Sequence, residues 1–183
     1  MVAEIFTIYT FVEALWLVLP AYAANGLVPL FKGKKRLDFG RNFLDGRPIL
    51  GKGKTLEGLV IGSVIGIIIA LIQMIFFPVL PWGLSDRPLT IIPMGPVLGF
   101  LLGFGAMAGD SAASFIKRRF NIRSGGSAPI LDQLDFLFGA FLFASLAVTI
   151  KLEWVILMAI LTPVFHYAAC VIGYLLKIKK EPW

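Results

Sequence analysis

Five apolar runs, nearly free of charge and separated by bunches of Lys, Arg, Gly and Pro, take up most of this 183-residue chain. They cover residues 5–26, 56–79, 89–108, 130–150 and 154–176. An α-helix rises 1.5 Å per residue, so about 20 apolar residues cross a hydrocarbon layer of ~30 Å. Backbone polar groups find no water inside that layer, and a helix satisfies them within itself. The chain is therefore expected to be all-α, a polytopic integral membrane protein with five transmembrane helices. Apolar residues make up 58% of it, more than a soluble domain of this size needs for its core. The polar segments, 32–55 and 109–129, leave no room for a second domain, so residues 1–183 read as one membrane-embedded unit. The first run lacks a basic leader and carries Glu4 and Glu13, which marks a retained span rather than a signal peptide.

The cations set the orientation. Eight lie between Lys32 and Lys54; Lys117, Arg118, Arg119 and Arg123 follow, and Lys177, Lys179 and Lys180 close the chain, whereas Arg87 and Lys151 fall on the opposite side. That asymmetry predicts an outside N-terminus and a cytoplasmic C-terminus. The net charge of +6 sits at the bilayer edges, where anionic headgroups answer it, so nucleic acid is not an expected partner. The lone Cys170 excludes a disulfide framework and reads as a buried thiol. Gly58, Gly62, Gly66 and Ala70 in the second run, and Gly95, Gly99 and Gly103 in the third, recur at four-residue spacing. Such faces let helix backbones approach closely in lipid, and here they predict packing of spans 2 and 3 in preference to dimerisation; the oligomeric state is not set by the sequence.

The chemistry is expected on the cytoplasmic side. Asp110, Ser114 and Lys117 form one stripe if the third helix continues past the membrane. Asp132 and Asp135 sit three residues apart in the first turns of the fourth span. Three carboxylates at a membrane boundary repel one another and pay for desolvation, and a bound divalent cation relieves both penalties. Hard oxygen ligands of this kind suit Mg²⁺, shared with substrate phosphates. The competing reading is structural: acids at the positive end of the fourth helix, or paired with Lys117 and Arg118. In the first polar segment, Gly46-Arg47-Pro48-Ile49-Leu50-Gly51-Lys52 opens like a P-loop, but Gly53 stands where Ser or Thr is needed and no strand precedes it. Gly51-Lys52-Gly53-Lys54-Thr55 reads instead as a flexible basic clamp able to reach phosphates.

Gly109-Asp110-Ser111-Ala112-Ala113-Ser114-Phe115-Ile116-Lys117-Arg118, followed by Asp132-Gln133-Leu134-Asp135, resembles the signature of the membrane CTP:phosphatidate cytidylyltransferases. The small size, five runs and the 51–58 segment make the chain most similar to the archaeal branch, the CDP-archaeol synthases. It departs from the bacterial and eukaryotic pattern at Ala128-Pro129-Ile130, where that pattern has His-Gly-Gly, and at Gln133, where it has Arg. The resemblance implies Mg²⁺-dependent transfer of a cytidylyl group from CTP to a membrane lipid phosphate, 2,3-di-O-geranylgeranylglycerol 1-phosphate, giving CDP-archaeol and pyrophosphate. It implies metal binding and catalysis by Asp110, Asp132 and Asp135, with Lys117 beside them. Lys117, Arg118 and Arg119 are expected to grip the triphosphate, and Lys52 and Lys54 the triphosphate or the lipid phosphate. Ser111 and Ser114 are expected to orient phosphate or base, and Asn25 to join the nucleotide pocket. A CTP-dependent polyprenol or phytol kinase, and a non-enzymatic transporter or scaffold, are the alternative readings. Outside this set, His166 reads as a hydrogen-bonded packing residue, and Glu13, near the middle of the first span, as a carboxyl group that is protonated, hydrogen-bonded to another span or turned to a polar groove.

Overall fold

The protein is described here as a computed structural model, which covers residues 7–80, 88–126 and 128–175, with backbone alone at 169, 170 and 172–174. Arg87, Ser127, the tail lysines and the Cys170 side chain lie outside the described residues. Among the described residues five α-helices follow one another: α1 (Ile8–Leu27), α2 (Leu56–Phe76), α3 (Pro96–Arg119), α4 (Pro129–Ala144) and α5 (Leu152–Leu175). Extended pairing among the described residues is confined to two isolated bridges, Arg36 with Thr55 and Asn42 with Pro48.

Local chemistry sets the helix ends. Thr7 and Thr55 cap α1 and α2 by accepting the N–H of Thr10 and Gly58, each at 3.1 Å. Pro78 cannot continue α2, and a 3₁₀ turn, Phe77–Val79, follows it. Pro96 starts α3 at the first-turn position that proline suits. The third helix therefore begins later than its apolar run, residues 89–95 being non-helical where Pro93 and Pro96 crowd the backbone, and it ends at Arg119 rather than near 108. Asn121, at φ 62°, then turns the chain in the left-handed conformation that asparagine tolerates. The fourth helix stops at Ala144, short of the expected 150, and at 16 residues it spans about 24 Å.

Packing alternates the helix directions. Gly66 meets the backbone of Gly99 and Gly103, and a Cβ on Gly99 would lie 2.5 Å from Ala70 Cβ, so α2 and α3 run antiparallel in backbone contact. This is the small-residue face expected of spans 2 and 3. A second seam was not anticipated: a Cβ on Gly105 would lie 2.6 Å from the Gly139 carbonyl, and one on Gly109 would overlap the Asp135 carbonyl. Thus α3 is wedged between α2 and α4. In α1, Tyr22 shares a 2.5 Å hydrogen bond with Thr162 of α5, and Trp154 Nε1 donates to Glu13 at 3.0 Å, which sets α1 and α5 parallel. Leu17, Val18, Leu102, Ala106, Leu137, Ala140 and Met158 fill the centre.

On α2, Val60, Val64, Ile68 and Ile72 face outward, 44–60% exposed. An unpartnered apolar row of this kind suits lipid and not water. With adjoining turns, Ile8–Leu30, Leu56–Val79 and Pro96–Arg119 are long and apolar enough to cross a membrane, and a shorter apolar helix runs Leu152–Ala168.

Glu13 is buried near the end opposite the basic loops. Its carboxylate accepts from Thr90 N–H, Lys151 Nζ and Trp154 Nε1, which tie α1, the 88–95 segment and α5 together. His166 lies on the exposed side of α5 rather than packed inside.

Gly109→Ala pushes a methyl group into α4 backbone that has no side chain to move aside. We expect a loss of about 1–3 kcal/mol, read as a lowered thermal unfolding midpoint in detergent. An unchanged midpoint means α3 and α4 are not in backbone contact.

Candidate active site

The alternating helices bring the 28–55 and 120–126 segments to one end of the bundle. There a cavity of about 390 Å³ opens between the end of α1, the 52–55 turn, the start of α2 and the last turns of α3. Lys52, Lys54, Asp110, Ser111 and Asn25 give it a polar side, and Val28, Leu59 and Met107 an apolar one. Five residues expected at the site from sequence thus share one cavity.

Asp110 receives Lys54 Nζ in an ion pair, which ties the 51–55 turn to α3. Ser111 Oγ donates to the Met107 carbonyl at 2.8 Å, so its lone pairs remain available to an incoming donor. Lys52 is exposed at the rim.

The second half of the expected set lies on the α4 side of α3. The stripe is present, since α3 does run on through Lys117, but Ser114 and Lys117 are buried and lie outside the cavity lining. Lys117 Nζ donates to Asp132 Oδ1 at 2.5 Å, and the other Asp132 oxygen accepts Ala128 N–H at 2.9 Å. Asp132 thereby makes both contacts of the structural reading, a helix start and a lysine pair.

Asp135 differs. Its Oδ1 accepts Phe136 N–H at 2.6 Å, while its Oδ2 is buried with no hydrogen-bond partner among the described residues. The negative charges of Asp110 and Asp132 both act on it, and the positive charge of Lys54 partly offsets them. Asp110 and Asp132 therefore each lie within electrostatic reach of Asp135. The three do not form a closed metal cage: among the described residues no three His, Cys, Asp or Glu side chains come together as one. An orphaned buried carboxylate oxygen flanked by two like charges nonetheless fits a divalent cation. Mg²⁺ in particular takes one or two carboxylates and completes its shell with water and phosphate.

The arginines are more committed than their sequence pattern suggested. Arg119 donates to Asp45 Oδ1 at 2.7 Å and to the Pro48 carbonyl at 2.6 Å, with its guanidinium 4.8 Å from the ring centres of both Phe43 and Phe115. Arg47 reaches back to the Arg119 carbonyl at 2.6 Å. Together they fasten the 42–48 turn onto the end of α3. Arg118 is buried, donates to the Ile122 carbonyl and has no partner for its Nε among the described residues. Asp45 and Arg47 had no sequence signal beyond their place in a charged loop.

A bundle of apolar helices with acids, bases and a half-apolar cavity gathered at one end is the layout of a membrane protein with a polar site at one end of its helices. Comparison with known proteins narrows this. A family model described as CarS-like CDP-archaeol synthase matches residues 6–183. A CDP-archaeol synthase of Methanopyrus kandleri is 43% identical, over 93% of this chain and 92% of that protein. One from Methanocaldococcus jannaschii is 39% identical, over 93% and 96%. A solved structure described as an intramembrane enzyme for archaeal membrane lipids biosynthesis is 34% identical, with TM-score 0.67, over 86% of this chain and 92% of that one. The chain belongs to the CDP-archaeol synthase family. It is a multi-pass membrane protein and an enzyme of lipid biosynthesis.

Arg119→Ala removes two charge-assisted hydrogen bonds and the stack between two rings. Exposed bonds of this kind contribute about 0.5–1 kcal/mol each, so with the ring contacts opening of the 42–48 turn rises about fivefold or more. We expect chymotrypsin to cut after Phe43, within that turn, correspondingly faster. Equal cleavage rates in variant and parent would remove the fastening role.

Proposed function

We propose that the protein is a CTP-dependent cytidylyltransferase that joins the cytidylyl group of CTP to 2,3-di-O-geranylgeranylglycerol 1-phosphate, releasing pyrophosphate. The observation that carries this reading is the cavity whose polar side holds Lys52, Lys54 and Asp110 and whose apolar side holds Val28, Leu59 and Met107. Such a cavity matches a molecule with a phosphate at one end and a hydrocarbon chain at the other.

The reaction needs little proton chemistry. A phosphate monoester with its second pKa near 6 is largely dianionic at neutral pH and attacks without a general base. Its oxygen forms a bond to the α-phosphorus of CTP, and the bond from that phosphorus to the bridging oxygen of the β-phosphate breaks. The work left to the protein is to hold two polyanions in line and to neutralise charge on the departing pyrophosphate. Lys52 and Lys54 serve the phosphates at the cavity, and Lys117 and Arg118 the triphosphate from the far side of α3. Arg119, already engaged with the 42–48 turn, acts by holding that turn. Asn25 and Ser111 offer hydrogen bonds to base or phosphate from the cavity wall.

Asp110 and Asp135, with Asp132 beside them, would hold a divalent cation, Mg²⁺ by the chemistry of the donors. When bound, such an ion supplies positive charge opposite the phosphate oxygens. In this reading all five helices cross the bilayer with the N-terminus outside, which agrees with the basic segments gathering at one end of the bundle.

The test is a product assay. Detergent-purified protein with Mg²⁺, CTP and the ether lipid phosphate, or phosphatidic acid in a parallel arm, should yield CDP-lipid and pyrophosphate, and EDTA should abolish the yield. Formation of CDP and a diphosphorylated lipid, or no product with either lipid, contradicts the proposal. Asp135→Asn should lower kcat/KM at least 100-fold, about 2.7 kcal/mol of transition-state stabilisation. Activity within about threefold of the parent enzyme, a range worth less than 1 kcal/mol, rules Asp135 out of the machinery.

A further inference from the structure

Asp38 is an acid in the most basic stretch of the chain, and its carboxylate is buried at 6% exposure. Its donors are backbone. Oδ1 accepts Gly40 N–H at 2.9 Å, and Oδ2 accepts Leu50 N–H at 3.0 Å and Gly51 N–H at 2.9 Å. Two of these donors lie 12 and 13 residues along the chain, immediately before Lys52 and Lys54. Gly51 needs that support. Its φ of 101° is one that residues with a Cβ rarely adopt, and a Cβ there would lie 2.9 Å from Ser124 Oγ. On the other side of the turn, Leu37 N–H donates to the Lys54 carbonyl at 2.8 Å and Leu56 N–H to the Lys35 carbonyl at 2.9 Å. The short ladder and the carboxylate together fix the backbone on both sides of the two lysines.

We propose that Asp38 is a positioning residue for cytidylyl transfer: by holding the N–H groups of Leu50 and Gly51 it sets the turn that aims Lys52 and Lys54 into the cavity. This rests on those lysines contacting substrate phosphate, as argued above. Burial works against the charged form of Asp38, but the N–H groups of Gly51, Leu50 and Gly40 and the nearby Arg36 outweigh it and hold the carboxyl below its ordinary value. The carboxylate is thus ionised at neutral pH, and its hold on the turn is lost as pH falls through that lowered value. Lysine side chains are long and flexible, so the position of their backbone limits which phosphates they reach together.

Asp38→Asn keeps the size but turns an NH₂ group toward donors. In the purified full-length protein, apparent KM for CTP or for the ether lipid phosphate should rise about tenfold or more, the loss expected for a charge-assisted hydrogen bond, with kcat within about threefold. The deciding measurement is a double-mutant cycle with Lys52→Met/Lys54→Met. If Asp38 acts through the lysines, Asp38→Asn adds less than about twofold in that background. A parent-like KM in Asp38→Asn, or a full tenfold effect on top of the lysine changes, overturns the proposal. A lysine variant with parent-like KM for both substrates defeats the phosphate assignment itself, and this inference with it. Should Asp38→Asn not purify as folded protein, Gly51→Ala strains the same turn at its other end and the cycle is read on that variant.

Discussion

Backbone contact along both sides of α3 is the constraint on which the remaining structure depends. Gly99 and Gly103 press against α2, and Gly105 and Gly109 against α4, at separations that leave no space for a Cβ. Apolar side chains gain little by leaving lipid for one another, so helices in a bilayer associate through close packing and polar contacts. Here the closeness also has a chemical result. Gly109 lies against the Asp135 backbone, one residue before Asp110, so the seam itself carries two carboxylates of the proposed site toward each other. A single methyl group at that point would separate helices and acids alike.

Charge is placed with similar economy. The carboxylates Asp110 and Asp132 each have a lysine partner, from the first loop and from α3 itself, whereas Asp135 Oδ2 has none among the described residues. Pairing neutralises the outer acids at the membrane boundary at modest desolvation cost, since both are about a third exposed at the side chain. The orphaned oxygen is buried, and both of those acids act on its carboxylate. The two pairs balance Asp110 and Asp132 within the chain, and in the proposed site the carboxylate left to a cation is Asp135.

Much of this was legible in the chain. Long uncharged runs announce helices in lipid because no other use of them is affordable, and the four-residue recurrence of Gly62, Gly66, Gly99 and Gly103 identifies the α2–α3 contact. The motif residues Asp110 and Asp135 fall at the mouth of the bundle, as their place beside apolar runs implied. Helix ends were harder to read. Pro93 and Pro96 delay α3, and hydropathy alone cannot see that a charged tail such as Lys117-Arg118-Arg119 stays helical. The seam of Gly105, Gly109 and Gly139 carries no such mark, because α4 supplies a single glycine, with Asp135 and Phe143 at the four-residue positions beside it. The tasks of Asp38, Arg119 and Glu13 depend on partners 12 to 141 residues away. Such pairings are written in the fold and leave no local spacing to find.

One feature of α3 has a wider effect. Its 24 residues make an unbroken rod about 36 Å long, longer than a typical hydrocarbon layer. Asp110 and Lys117 ride on the same rod that lies in lipid, while Lys52 stands on a loop outside it. A membrane thicker or thinner than the apolar part of the bundle is accommodated by tilt. The Lys54 pair with Asp110 and the Arg119 contacts bind the first loop to that rod, so a tilt of α3 carries the loop with it and leaves the distances within the site unchanged.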